Sequence, residues 1–160
     1  MVITTDKSNQ AFGDMYAKAV GELPGASEQW INGHRQESFD IIRSGGLPNQ
    51  KDEAWKYTSL NTLVNTSFIP AARADDVDVT HLPVTLPLIG GAVRVVLVNG
   101  AFRDDLSQGI TLENSQGRIL MPLAEVFDHS PAYLKPILGT VAKPGKSAIA
   151  ALNTSYMEDG

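Results

Sequence analysis

Apolar side chains in the segment DKSNQAFGDMYAKAVGELPG, residues 6–25, recur at intervals of three and four: Phe12, Met15, Tyr16, Ala19 and Val20. That spacing puts one stripe on a 3.6-residue turn and predicts an amphipathic helix. Asp6 or Ser8 can cap its start, and Gly21 with the Pro24-Gly25 turn can end it. A second helical period runs through ASEQWINGHRQESFDIIRSGG, where Ser27 can cap and Glu28 suits the first turn. Trp30, Ile31, His34, Ser38, Ile41 and Ile42 are expected to share its inner face, and Arg43 followed by Gly45 or Gly46 marks its end. Gly33 weakens the middle by about 1 kcal/mol relative to alanine, so this helix depends on packing. Two helices joined by a Pro-Gly turn predict a helical hairpin.

The pattern then loses its period. NTLVNTSFIPAARADDVDVTHLPVTLPLIGG carries Pro70, Pro83, Pro87, Gly90 and Gly91 and reads as an extended connector, with Asp75, Asp76 and Asp78 on a solvated loop. At VRVVLVNGAFR it becomes β-branched around Asn99-Gly100, a turn pair that tolerates the positive φ a two-residue hairpin needs. GITLEN and GRILMPL predict two further short strands, completing a small antiparallel sheet. Helical character returns in PLAEVFDHSPAYLKPILG, with a start at Ser130-Pro131 and an interior broken by Pro136. It returns again in KSAIAALNTSYMEDG, with Ser147 as cap and Ile149, Leu152, Asn153 and Tyr156 on one side. The elements predict an α+β chain, helical with a connector over 1–90 and sheet plus helices over 91–160.

Composition narrows the chemistry. Charged residues make up 19% and hydrophobic ones 42% of 160 residues, the balance of a globule with a core, not of a disordered tail. A net charge of -5 with dispersed basic residues argues against nucleic acid as a partner. The start MVITTDKSNQ has no basic and apolar leader pattern, and no apolar run approaches the ~18 residues of a membrane span. The expected location is the cytosol. The absence of cysteine excludes disulfides, thiolate ligation of metals or clusters, and cysteine nucleophiles in this chain.

His34, His81 and His129 lack the close pairing of a zinc site. No G-x-S-x-G elbow, dinucleotide loop or G-x-x-x-x-G-K-[ST] loop occurs. One stretch concentrates polar chemistry: LPNQKDEAWKYTSL, residues 47–60. Asp52 and Glu53 with a histidine brought near by folding could serve a small hydrolase. Trp55, Lys56 and Tyr57 instead suit a structural joint or a partner surface, because such rings bury area while keeping a polar tip wet.

Three stretches taken together resemble a known family. GLPNQKDEAWKYTSL, VLVNGAFRDDLS and AALNTSYMEDG are similar, in order and spacing, to the N-terminal region of the SufD family, scaffold subunits of the SufBCD iron–sulfur cluster assembly system. Trp55, Lys56, Tyr57 and Thr58 fit the first motif, Val98, Asn99, Gly100 and Phe102 the second, and Leu152, Asn153, Thr154, Asp159 and Gly160 the third. The first motif is shared more loosely with the SufB family; the second and third favour SufD. Ala54 and Ser155 are small departures from the family pattern.

The resemblance implies a non-catalytic N-terminal module with no cofactor of its own, the cluster being handled by the full complex. It implies SufB-like and SufC-like partners through the full-length protein, and sulfur-delivery enzymes as further ones. It also implies a right-handed parallel β-helix following the final Asp-Gly, so that this chain is expected to be the front piece of a longer protein. The cluster-assembly residues and ATPase contacts of the family fall in that following part, and none carries over to this chain.

Overall fold

The structure, a computed structural model, describes residues 7–69, 77–79, 92–108 and 120–159. Its α-helices are α1 (Lys7–Ala19), α2 (Gln29–Gly45), α3 (Asn61–Asn65), α4 (Leu123–His129) and α5 (Ala148–Ser155). A two-stranded antiparallel sheet is formed by β1 (Leu97–Val98) and β2 (Ala101–Phe102). The chain is thus α+β. It divides into two compact units, one of Met1–Pro70 with Pro131–Met157, the other of Ala71–Ser130 with Glu158–Gly160. A division at residue 90 follows chain order, whereas these units interleave because α5 returns to pack on α2.

In the first unit α1 forms as its stripe predicts. Phe12 and Tyr16 are buried with Phe39 and Leu47, and Met15, Val20, Leu63, Val64, Ile149 and Leu152 pack around them. Tyr16 stacks on Phe39 at 4.3 Å between ring centroids, and Tyr156 meets Tyr16 edge-on at 5.7 Å. The main partner of α2 is nevertheless α5, so the expected hairpin is one side of a three-helix arrangement.

Two details of α2 differ from the sequence reading. Glu28, not Ser27, is the N-cap, because the turn closed by the Glu28 N–H on the Gly25 carbonyl (2.9 Å) runs one residue further before the helix starts. The buried face is Ile31, Arg35, Ser38, Phe39 and Ile42, with Trp30, His34 and Ile41 at its half-buried margins. Counting Arg35 as polar rotates the predicted face away from the true one. At the far end Gly46 takes φ 70° and its N–H reaches the Ile42 carbonyl at 2.7 Å. A side chain at that φ would be strained, so the glycine is what lets the chain turn into Leu47.

The start of the predicted connector is helical instead: Leu63 and Val64 of α3 gain core contacts that an extended chain would forgo. Most of the rest, with Asp75, Asp76 and His81, lies outside the described residues. The segment starting at Ser130-Pro131 is not an α-helix but a 3-10 turn, Pro131–Tyr133, followed by further turns. Pro136 supplies no N–H there. Gly139, at φ 73°, lies over the His34 ring, where an added Cβ would come within 3.3 Å. Ser147 caps α5 as expected, its hydroxyl accepting the Ala150 N–H at 3.4 Å.

In the second unit Asn99 (φ 53°) and Gly100 (φ 90°) form the hairpin turn, pairing Val98 with Ala101 and Leu97 with Phe102. Arg94 and Gln108 extend the pairing by exchanging backbone hydrogen bonds of 2.8 and 2.9 Å. Val98 and Phe127 are buried. The further strands expected over 109–114 and 117–123 lie mostly outside the described residues, and the described 120–122 are not in a strand.

Candidate functional site

The polar stretch behind α2 is built by short-range bonds. The Asp52 carboxylate accepts the Asn49 N–H at 2.8 Å, the Asn49 side-chain oxygen accepts the Lys51 N–H at 3.0 Å, and the Asp52 N–H returns to the Asn49 carbonyl at 2.9 Å. This turn delivers the single 3-10 turn Glu53–Trp55, closed by the Trp55 N–H on the Asp52 carbonyl at 2.9 Å. The Thr58 N–H then bonds the Trp55 carbonyl at 2.9 Å. Trp55 is half-buried and Tyr57 is 90% exposed, with the Lys56 ammonium 5.4 Å from the Tyr57 ring centroid. The turn therefore presents a cation and a ring side by side, a geometry worth about 0.5–1 kcal/mol when exposed.

Asp52 and Glu53 are exposed, and the Asp52 carboxylate is occupied in holding the turn. His34 instead stands edge-on to Trp30, its ring under Gly139. Among the described residues no three His, Cys, Asp or Glu side chains gather as a metal site. The stretch is an exposed turn held by short-range hydrogen bonds.

Two charged residues that the sequence reading did not single out as sites hold the units in order. Arg35 is fully buried on α2, and its Nη2 donates to the Pro24 carbonyl at 2.7 Å and to the Met157 carbonyl at 2.8 Å. One side chain thereby fastens the α1–α2 turn and the segment after α5 to α2. Its signal was present: residues 31, 35, 38, 39 and 42 follow the three-four spacing once arginine is allowed a buried stem. In the second unit Asp159 does the fastening, with one carboxylate oxygen accepting the Phe102 N–H at 2.9 Å and the other the Ala124 N–H at 3.3 Å. Two of the quoted motifs, the hairpin and the terminal Asp-Gly, thus meet through a hydrogen bond. Arg103, with little exposure, forks onto Asp105 by two 2.7 Å bonds, which hold the Asp105 carboxyl below its ordinary pKa.

Two tyrosines titrate high for a common reason. Burial raises the Tyr156 pKa, and its hydroxyl donates to the Phe12 carbonyl at 2.5 Å. Burial also raises that of Tyr16, against an opposing pull from Arg35. Both belong to the packing of the helices.

Within each unit a polar side chain ties backbone segments together, Arg35 in the first and Asp159 in the second. The SufBD protein N-terminal region family model matches residues 6–160. The chain belongs to that family. It is similar to an iron–sulfur cluster assembly SufBD family protein of Synechocystis sp., at 26% identity over 158 residues, covering 97% of this chain and 34% of that protein. The chain thus spans about a third of the length of the curated relative it matches. No solved structure matches it.

Proposed function

We propose that this chain is the non-catalytic N-terminal module of a SufD-type scaffold subunit, working in the cytosol with SufB-like and SufC-like subunits to assemble and transfer iron–sulfur clusters. The family match over residues 6–160 carries this reading. The hairpin and Asp-Gly motifs, which favour SufD over SufB, add to it, and their meeting at Asp159 and Phe102 gives them a structural role. The cluster is cargo of the complete assembly, and the module contributes no thiolate, because it contains no cysteine. In this reading Trp55, Lys56 and Tyr57 are the partner surface, with sulfur-delivery enzymes among those it could receive.

Affinity capture with tagged residues 1–160 beside the tagged full-length reading frame tests the reading. The full-length chain is expected to retain SufB-like and SufC-like subunits, and Tyr57→Ala to weaken whatever the short chain retains. Full-length capture of neither subunit would contradict the proposal.

A further inference from the structure

Positive charge is concentrated in one stretch of the first unit. Between Asp128 and Glu158 the sequence holds no aspartate or glutamate, while Lys135, Lys143 and Lys146 give it a charge of +3. The other 10 of the 13 basic residues stand against all 18 acidic ones, so the rest of the chain carries -8. All three lysines are exposed, and none is paired with an acid among the described residues. The same stretch displays Tyr133, Ile137 and Val141, which are 69%, 65% and 91% exposed. The backbone explains the first two. The Leu134 N–H bonds the Pro131 carbonyl at 3.1 Å, and the Ile137 and Leu138 N–H groups share the Leu134 carbonyl at 2.9 and 2.8 Å. Turns of three and four residues keep Leu134 and Leu138 half-buried and leave Tyr133 and Ile137 outward. Large apolar side chains displayed together among lysines mark an interaction surface.

We propose that residues 133–146 dock an acidic segment of a partner protein, its carboxylates meeting Lys135, Lys143 and Lys146 and its apolar side chains covering Tyr133, Ile137 and Val141. Charge complementarity selects this occupant. Anionic lipid also attracts lysine, but basic clusters that hold a membrane carry about four to eight such residues. The -8 on the rest of the chain would in addition be repelled by that surface. A peptide segment covers only the basic stretch, and the same negative charge elsewhere turns it away from every other place it could land. The inference goes beyond the functional reading and stands on charge and exposure alone.

Photo-cross-linking of the full-length natural reading frame in its host tests this, with a benzoylphenylalanine introduced at the exposed position 137 and the adduct mapped by mass spectrometry. The expected adduct is a protein segment with acids in excess over lysine and arginine. Lys135→Glu with Lys143→Glu and Lys146→Glu should lower its yield about 10-fold, whereas the same three lysines changed to arginine should keep it. Raising salt from 0.1 to 1 M, which shortens the Debye length from about 10 to about 3 Å, should lower it as well. Adducts to lipid, to a second copy of this chain or to a segment without that acid excess would overturn the inference. So would no adduct at all, or a yield that the charge reversal leaves unchanged. An acidic adduct on a chain that captures neither SufB-like nor SufC-like subunits would sink the functional reading and leave this one standing.

Discussion

Arg35 carries more of the first unit than its residue type suggests. A buried guanidinium that donates to two carbonyls must be satisfied, and each charge-assisted bond contributes about 1.5–3 kcal/mol. Arg35→Ala is expected to lower unfolding free energy by about 3 kcal/mol or more in a urea titration, since both carbonyls lose their donor. Arg35→Lys should recover only part of this, because both bonds leave from the one nitrogen Nη2, which a lysine ammonium can match in charge but not in reach. Tyr16 predicts the opposite sign. Its buried hydroxyl meets no hydrogen-bond partner among the described residues, so Tyr16→Phe should raise stability by about 1 kcal/mol in the same titration. The raised pKa values of Tyr16 and Tyr156 set an alkaline limit. A neutral phenol favoured by the fold contributes stability that is complete below the unfolded value near 10 and is lost as pH rises through the folded value. Melting temperature should therefore fall steeply above about pH 10, and Tyr156→Phe should flatten that fall.

Among the elements, those whose apolar spacing is regular were legible. α1 and the cap of α5 follow the pattern because Phe12, Tyr16 and Ser147 act locally. The Asn99-Gly100 hairpin was legible for the same reason, its turn chemistry being confined to two residues. The inner face of α2 was misread because Arg35 spends its charge on carbonyls 11 and 122 residues away, which no local pattern announces. α3 was missed because five residues make a helix only when Leu63 and Val64 have a core to meet. Within the 47–60 stretch the paired aromatics were visible, but the exposure that separates them was not. Half-buried Trp55 and exposed Tyr57 should answer differently to substitution. Trp55→Ala is expected to cost about 1–2 kcal/mol, less than the ~3–5 of a fully buried ring, and Tyr57→Ala less than about 0.5 in thermal melts of the same preparation.

At the scale of the whole molecule, chemistry and organisation separate. The residues that could do acid–base work, Asp52 and Glu53, stand on an exposed turn, whereas the buried polar groups Arg35 and Arg103 serve structure. In the proposed reading the chain contributes to cluster assembly by what it holds and presents. The most direct test is complementation in a host whose full-length gene lacks residues 1–160, read as the activity of an iron–sulfur enzyme under iron limitation. The account predicts that deletion lowers that activity, that Asp52→Asn with Glu53→Gln restores it fully, and that Trp55→Ala with Tyr57→Ala does not. Restoration by the aromatic double variant and failure of the carboxylate one would contradict it, and would place the chemistry in the turn itself.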